Sequence, residues 1–196
     1  MKNILQMIAV LGAICVLAGG LLATINQITK KPIEQSLRTE KMQAMKKVLP
    51  PYDNDPMTCI CVVKDNGKSW TNYVARKNGQ FVGAAFESSS DQGYSGTIRI
   101  LVGVTPSNTV QGLEILQQAE TPGLGARITE PAFLDQFKEK NIETTKWKVK
   151  KDGGDIDAIT GATISPRAVL DALQAGLNVF EKHKKEIATT TAKTVK

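Results

Sequence analysis

The sequence predicts an α+β protein in which one apolar helix precedes a compact domain of antiparallel strands and packed helices. Three observations lead there. Residues 4–25 form an uncharged run of 22, enough for one membrane-spanning helix of roughly 20 residues. Short β-branched runs begin at Met57, and Asp65-Asn66-Gly67 and Asn78-Gly79 between them are hairpin signals. The last element places Val169, Leu170, Leu173, Leu177 and Phe180 at helical spacing. Strands followed by helices, without regular alternation, define the α+β class. The roughly 170 residues beyond the apolar run suffice for one domain with a real core.

In chain order, the apolar run is longer than a signal core of about 7–15 residues, and no A-x-A site follows it. Gly12-Ala13-Ile14 before Cys15 is a poor lipoprotein box. A retained transmembrane anchor over residues 1–30 is therefore expected. Lys30-Lys31-Pro32 punctuates the helix, and Ile33, Leu37, Ala44, Met45 and Val48 give a ragged apolar face to a juxtamembrane helix within residues 31–50. Pro50-Pro51 ends it. The folded domain should span residues 51–187. Strands are expected at 59–64, 72–76, 80–86, 97–104 and 110–117, the last two joined across Pro106-Ser107-Asn108. Residues 131–140 suit a short helix. Residues 146–150 alternate lysines with Trp147 and Val149, as a strand with one solvated face would. Ser165 is a good N-cap and Pro166 a good first residue for the last helix, which should end near His183. Residues 188–196 read as a flexible basic tail.

The net charge of +6 comes from lysines spread along the chain and gathered near both ends. There is no dense basic patch with interleaved aromatics, which argues against nucleic acid as a partner. A basic tail near lipid headgroups is the milder explanation. Counted naively, Lys30, Lys31, Arg38, Lys41, Lys46 and Lys47 outweigh Lys2, so the positive-inside rule would put the domain in the cytoplasm. Long folded domains are translocated regardless of such charges. Cys15 lies in the apolar run. Cys59 and Cys61 would share one side of a strand, a poor geometry for a disulfide, and read as small buried hydrophobes. With one histidine and no CxxC pair, neither a zinc nor an iron–sulfur site is expected.

The chemistry concentrates in Thr160-Gly161-Ala162-Thr163-Ile164-Ser165-Pro166. Two small residues between two hydroxyl residues permit a tight turn and the close approach of a bulky group. A helix start offers free N–H donors and the positive end of the macrodipole, so an anion, a phosphate for instance, can sit beside Thr163. On composition and spacing alone, a plain strand-to-helix turn with an N-cap is the simpler reading. A hydrolytic reading, with Thr163 or Ser165 as nucleophile, lacks an activating base, since His183 lies in a remote helix end.

Asp157-Ala158-Ile159-Thr160-Gly161-Ala162-Thr163 resembles the D-x-x-S/T-G-A-T flavinylation motif of the FMN-binding domain family. The G subunit of the Rnf complex and the C subunit of the sodium-translocating NADH:quinone reductase share that domain. Glu120-Thr121-Pro122-Gly123-Leu124-Gly125 is similar to the family's E-T-P-G-L-G loop beside the flavin ring. Residues 93–103, from Gly93-Tyr94-Ser95-Gly96 onward, are similar to its G-Y-x-G-x-I-x-x-L-V-G strand. The family often carries a histidine shortly before E-T-P-G-L-G, where this chain has Gln117-Gln118-Ala119.

The resemblance implies covalent FMN, esterified through its phosphate to Thr163 by a dedicated flavin transferase. Asp157, Thr160, Gly161, Ala162 and Ser165 would surround the attachment point, and Glu120, Thr121, Gly123, Leu124 and Gly125 the ring. It further implies a redox-active component of a ferredoxin–NAD-linked, ion-translocating membrane complex rather than a stand-alone enzyme, with that complex's other membrane subunits as partners. The expected location is the inner membrane, single-pass, with the domain on the extracytoplasmic side, against the charge count. The alternatives are the C subunit of the quinone reductase, which is longer, and a membrane-anchored sensory module, for which this chain lacks further spans or an output domain. Arg127 could approach the phosphate, although a solvated arginine is the simpler reading. Tyr94, Trp70 and Trp147 could stack on the ring, although each reads more simply as core.

Overall fold

The structure, a computed structural model, describes residues 2–191, apart from the side chains of Lys2 and Leu5. Helix α1 runs Lys2–Val48, with Pro32 inside it. The expected break at Lys30-Lys31-Pro32 does not occur. A proline forfeits one helical hydrogen bond, and the residues on either side keep the helix continuous. The chain divides into two compact units, Met1–Lys41 and Met42–Lys196. In the first, α1 is long and apolar enough to cross a membrane, and none of its most apolar stretch is buried. Leu17, for example, is 73% exposed.

In the second unit the strands are β1 (Ile60–Asp65), β2 (Lys68–Lys77), β3 (Gln80–Ser90), β4 (Ile98–Val104) and β5 (Val110–Gln117). They form one antiparallel sheet in sequence order. The two hairpin signals turn as expected: Asn66 and Gly67 have φ of 49° and 76°, Asn78 and Gly79 of 51° and 76°. Positive φ at both central residues gives the twist that matches paired strands. After β5 come a helical turn at Gly125–Thr129, the short helix α2 (Pro131–Leu134), further turns at Asp135–Phe137 and Lys150–Asp152, and the long helix α3 (Ile164–Thr189).

Alternation along the strands sorts the two faces of the sheet. Cys61, Val63, Val74, Ala84, Phe86, Ile100 and Val102 join the core under α3, with Leu173, Leu177 and Phe180. Each such large apolar side chain, fully buried, contributes about 1.5–3 kcal/mol. Tyr73, Ala75, Ala85 and Leu101 face the other way, against Ala44, Met45, Val48 and Leu49 at the end of α1. That helix end lies very close to the sheet. Gly103 and Gly112 pair directly across β4 and β5, and a Cβ at Gly103 would sit 1.8 Å from the Val48 carbonyl oxygen.

Three local expectations change. Residues 146–150 do alternate, with Trp147 and Val149 buried and the lysines exposed. They form no strand, because the chain turns back at Gly153 and Val149 makes only a single bridge to Ile156. Helix α3 passes His183 and reaches Thr189. Its last carbonyls are tied down: Arg76 Nη2 donates to Ala188 O at 2.6 Å and Thr190 O at 3.0 Å. The first residues of the expected tail, Ala188 and Thr189, therefore belong to α3, and residues 192–196 lie outside the described residues. Cys59 and Cys61 are buried free thiols.

Candidate functional site

The three motifs converge at one end of the sheet. Ser90 at the end of β3 pairs with Ile98 at the start of β4, and Arg99 beside it pairs with Gln117 at the end of β5. The 91–97 and 118–124 loops therefore leave from the same edge. The start of α3 is fastened above them: Ser88 Oγ donates to Ala172 O at 2.7 Å, and Ser90 Oγ to an Asp171 carboxylate oxygen at 2.8 Å.

Between them lies a cavity of about 440 Å³, lined by Tyr94, Glu120, Thr121, Leu124, Gly125 and residues 161–165. Its size falls in the usual range for cofactor sites, about 300–1,000 Å³. The walls carry large apolar groups open to solvent: Tyr94 is 71% exposed, Leu124 46% and Ile164 46%. A planar aromatic ligand would cover them. At the polar end, α3 begins at Ile164 with Thr163 as its cap residue. The first helical donor is Arg167 N, to Thr163 O at 3.4 Å. That leaves the Ile164 and Ser165 N–H groups without a partner inside the helix, the arrangement that favours a phosphate. Gly161 holds the preceding turn at φ 80°, and a Cβ there would meet Leu124 Cδ2 at 3.4 Å. Polar donors at one end and apolar walls at the other fit FMN.

Ser165 does not cap α3. It sits one residue inside the helix, 2% exposed, and its hydroxyl donates to Glu120 Oε2 at 2.5 Å. A tertiary partner has taken the oxygen that local sequence would assign to the cap. Glu120 is 5% exposed, and its Oε1 accepts the Ser95 N–H at 3.0 Å.

Of the expected site residues, Glu120, Thr121, Leu124, Gly125, Gly161, Ala162, Thr163 and Ser165 line the cavity. Gly123 stands at the loop tip with φ 74°. Asp157 and Thr160 lie on the far side of the turn, in a groove of about 190 Å³ that also holds Arg127, Glu130 and Gln136. Asp157 pairs there with Lys150 at 2.8 Å, and Arg127 with Glu130 at 3.1 Å. Trp147 is core, stacked on Phe137 at 6.5 Å between ring centroids, whereas Tyr94 is a cavity wall. Sequence reasoning misses Ile164, whose apolar side chain sits in the first turn of α3 where burial would be expected, and the backbone of Ser95.

Residues 93–178 match the FMN-binding domain, a stretch that contains the three sequence motifs at 93–103, 120–125 and 157–163. The G subunit of the ion-translocating oxidoreductase complex from Shewanella piezotolerans is 32% identical over 203 residues, covering 97% of this chain and 96% of that one. Its counterpart from Photorhabdus laumondii is 40% identical over 169 residues, 81% of each. The chain belongs to the G-subunit family of ion-translocating oxidoreductase complexes. Two crystal structures share the fold. NqrC from Shewanella oneidensis has a TM-score of 0.53 at 20% identity, covering 74% of this chain and 73% of its own. The C subunit of the Na(+)-translocating NADH-quinone reductase from Parabacteroides distasonis has a TM-score of 0.52 at 22% identity, covering 78% and 85%.

Proposed function

We propose that this chain is the electron-transfer subunit of an ion-translocating oxidoreductase complex, and that it carries FMN esterified through its phosphate to Thr163. One observation carries the choice of residue. Of the motif hydroxyls, Thr160 faces the outer groove and Ser165 is committed to Glu120. Thr163 lines the cavity, half-buried, and its hydroxyl makes no hydrogen bond among the described residues.

Among the described residues, no lysine, arginine or histidine lines the cavity, and its one carboxylate, Glu120, is engaged by the Ser95 N–H and the Ser165 hydroxyl rather than by Thr163. A separate flavin transferase, as the motif resemblance implies, would supply activation. FMN supplies the redox chemistry when bound. The protein's own part is to tether and orient. Thr163 holds the phosphate end, the free N–H groups and dipole at the start of α3 offset its charge, and Tyr94, Leu124 and Ile164 shield the ring.

Residues 1–30 would anchor the chain in the inner membrane, with the domain on the extracytoplasmic side. The resemblance also supports a ferredoxin–NAD-linked complex of several membrane subunits. Protease added to spheroplasts, with the outer membrane opened, should then reach the domain, and protection would overturn that placement. For the cofactor, intact mass of the chain co-expressed with a flavin transferase should show one added FMN. A Thr163→Ala variant that still carries it would refute the attachment.

A further inference from the structure

We infer that Glu120 is a positioning residue, which holds the Gly93–Gly96 loop and the first turn of α3 at a fixed separation and thereby sets the width of the cavity. The inference deepens the FMN reading and rests on it for the cavity's occupant alone.

Glutamate is almost never fully buried unless paired, yet Glu120 is 5% exposed. Its side chain accepts from the Ser95 N–H and the Ser165 hydroxyl, one on each carboxylate oxygen, and no cation pairs with it among the described residues. Those two donors belong to two different cavity walls. The Ser95 amide follows Tyr94 directly, and Ser165 lies two residues beyond Thr163. The carboxylate therefore bridges the Tyr94 wall and the attachment turn.

Nothing around it allows slack. A Cβ on Gly125 would lie 2.5 Å from both Glu120 Oε2 and Ser165 Oγ. A Cβ on Gly93 would lie 3.0 Å from Glu120 Oε1 and 2.1 Å from Gly96 O. The backbone is fixed as well: the Glu120 N–H donates to Gln118 Oε1 at 2.6 Å. Glycine at both positions lets the two backbones close on the carboxylate, and Gln118 aims it. The first glycine of one motif, the leading acid and last glycine of the second, and the serine after the third thus form a single joint. With its oxygens occupied in this way, Glu120 acts on the flavin site through the residues it holds.

The test uses the full-length chain in detergent, with and without a co-expressed flavin transferase. Glu120→Ala removes both contacts. Glu120→Gln keeps them, since its carbonyl can accept from Ser95 and its amide can donate to Ser165 Oγ. In the chain without FMN, hydrogen exchange at the Ser95 amide should quicken about tenfold in Glu120→Ala and stay near wild type in Glu120→Gln. In the loaded chain, Glu120→Ala should shift the flavin midpoint potential and raise its fluorescence, and Glu120→Gln should restore both. Wild-type exchange and potential in a folded Glu120→Ala chain would overturn the inference. Equal impairment in Glu120→Gln would also overturn it, by pointing to charge rather than position. Should Glu120→Ala fail to fold, Ser165→Ala removes the α3 arm alone, and an unchanged potential there counts against the inference. If the wild type carries no FMN on Thr163, the cofactor reading fails, while Ser95 exchange still decides the role of Glu120.

Discussion

The turn at residues 160–163 has two sides, and they differ in what holds their side chains. On the cavity side, Ser165 and Glu120 are almost fully buried and bonded to each other, and the Thr163 side chain lines the same cavity with its hydroxyl unpartnered among the described residues. On the groove side, Asp157 and Thr160 are exposed, and Asp157 meets a lysine across water-facing surface. Thr160 thus lies in different dielectric surroundings from Thr163 and Ser165, only three and five residues further on. Hydroxyl chemistry in such a motif follows environment rather than residue type.

Substitutions can sharpen that contrast. The largest effect is expected at Thr163: Thr163→Ala should lose covalent FMN altogether, and Thr163→Ser should keep it, as read by intact mass. On the groove side, Asp157→Asn and Thr160→Ser should leave the absorbance and midpoint potential of attached flavin at wild-type values, whatever fraction of chains is loaded. A shifted potential in either would erase the distinction between the sides.

Next in size is packing. Gly125→Ala forces a methyl against the Glu120–Ser165 contact, and should destabilise the domain by about 1–3 kcal/mol in thermal unfolding. Thr160→Ala, at an exposed position, should fall within about 0.5 kcal/mol of wild type.

The smallest effect is electrostatic. Arg167, in the first turn of α3, donates to both carboxylate oxygens of Asp152 at 2.7 and 2.8 Å. That hydrogen bonding holds the Asp152 carboxyl below its ordinary value and the Arg167 guanidinium above its own. A depressed carboxylate stabilises the fold above its unfolded value, and the contribution is lost as pH falls through the folded one. The wild type should therefore unfold slightly above Asp152→Asn at neutral pH, with the gap closing as pH drops below the ordinary carboxylate range. Both groups are exposed, so the difference should be small and weakened by salt.

Much of this fold is legible in the sequence because local rules and tertiary structure agree in it. The hairpins at Asn66-Gly67 and Asn78-Gly79 are fixed by backbone preference, and the fifth strand matches its expected span to the residue, Val110–Gln117. β3 runs on to Ser90 because Ser88 and Ser90 find partners on α3, contacts that no local pattern announces. Around Trp147 the lysine alternation announces the burial correctly but not the missing strand pairing, since alternation reports a face and not a neighbour. The motifs locate the cavity. They do not reveal that Ser165 surrenders its cap role to Glu120, nor that Asp157 and Thr160 turn outward. Both outcomes depend on which loops meet in space.

The most direct measurement is peptide-level mass spectrometry of the chain purified after co-expression with a flavin transferase. FMN should be found on one residue, Thr163. Its absence from the chain, or its presence on Thr160 or Ser165, would contradict the proposed attachment and the assignment of hydroxyl roles made from the two sides of the turn.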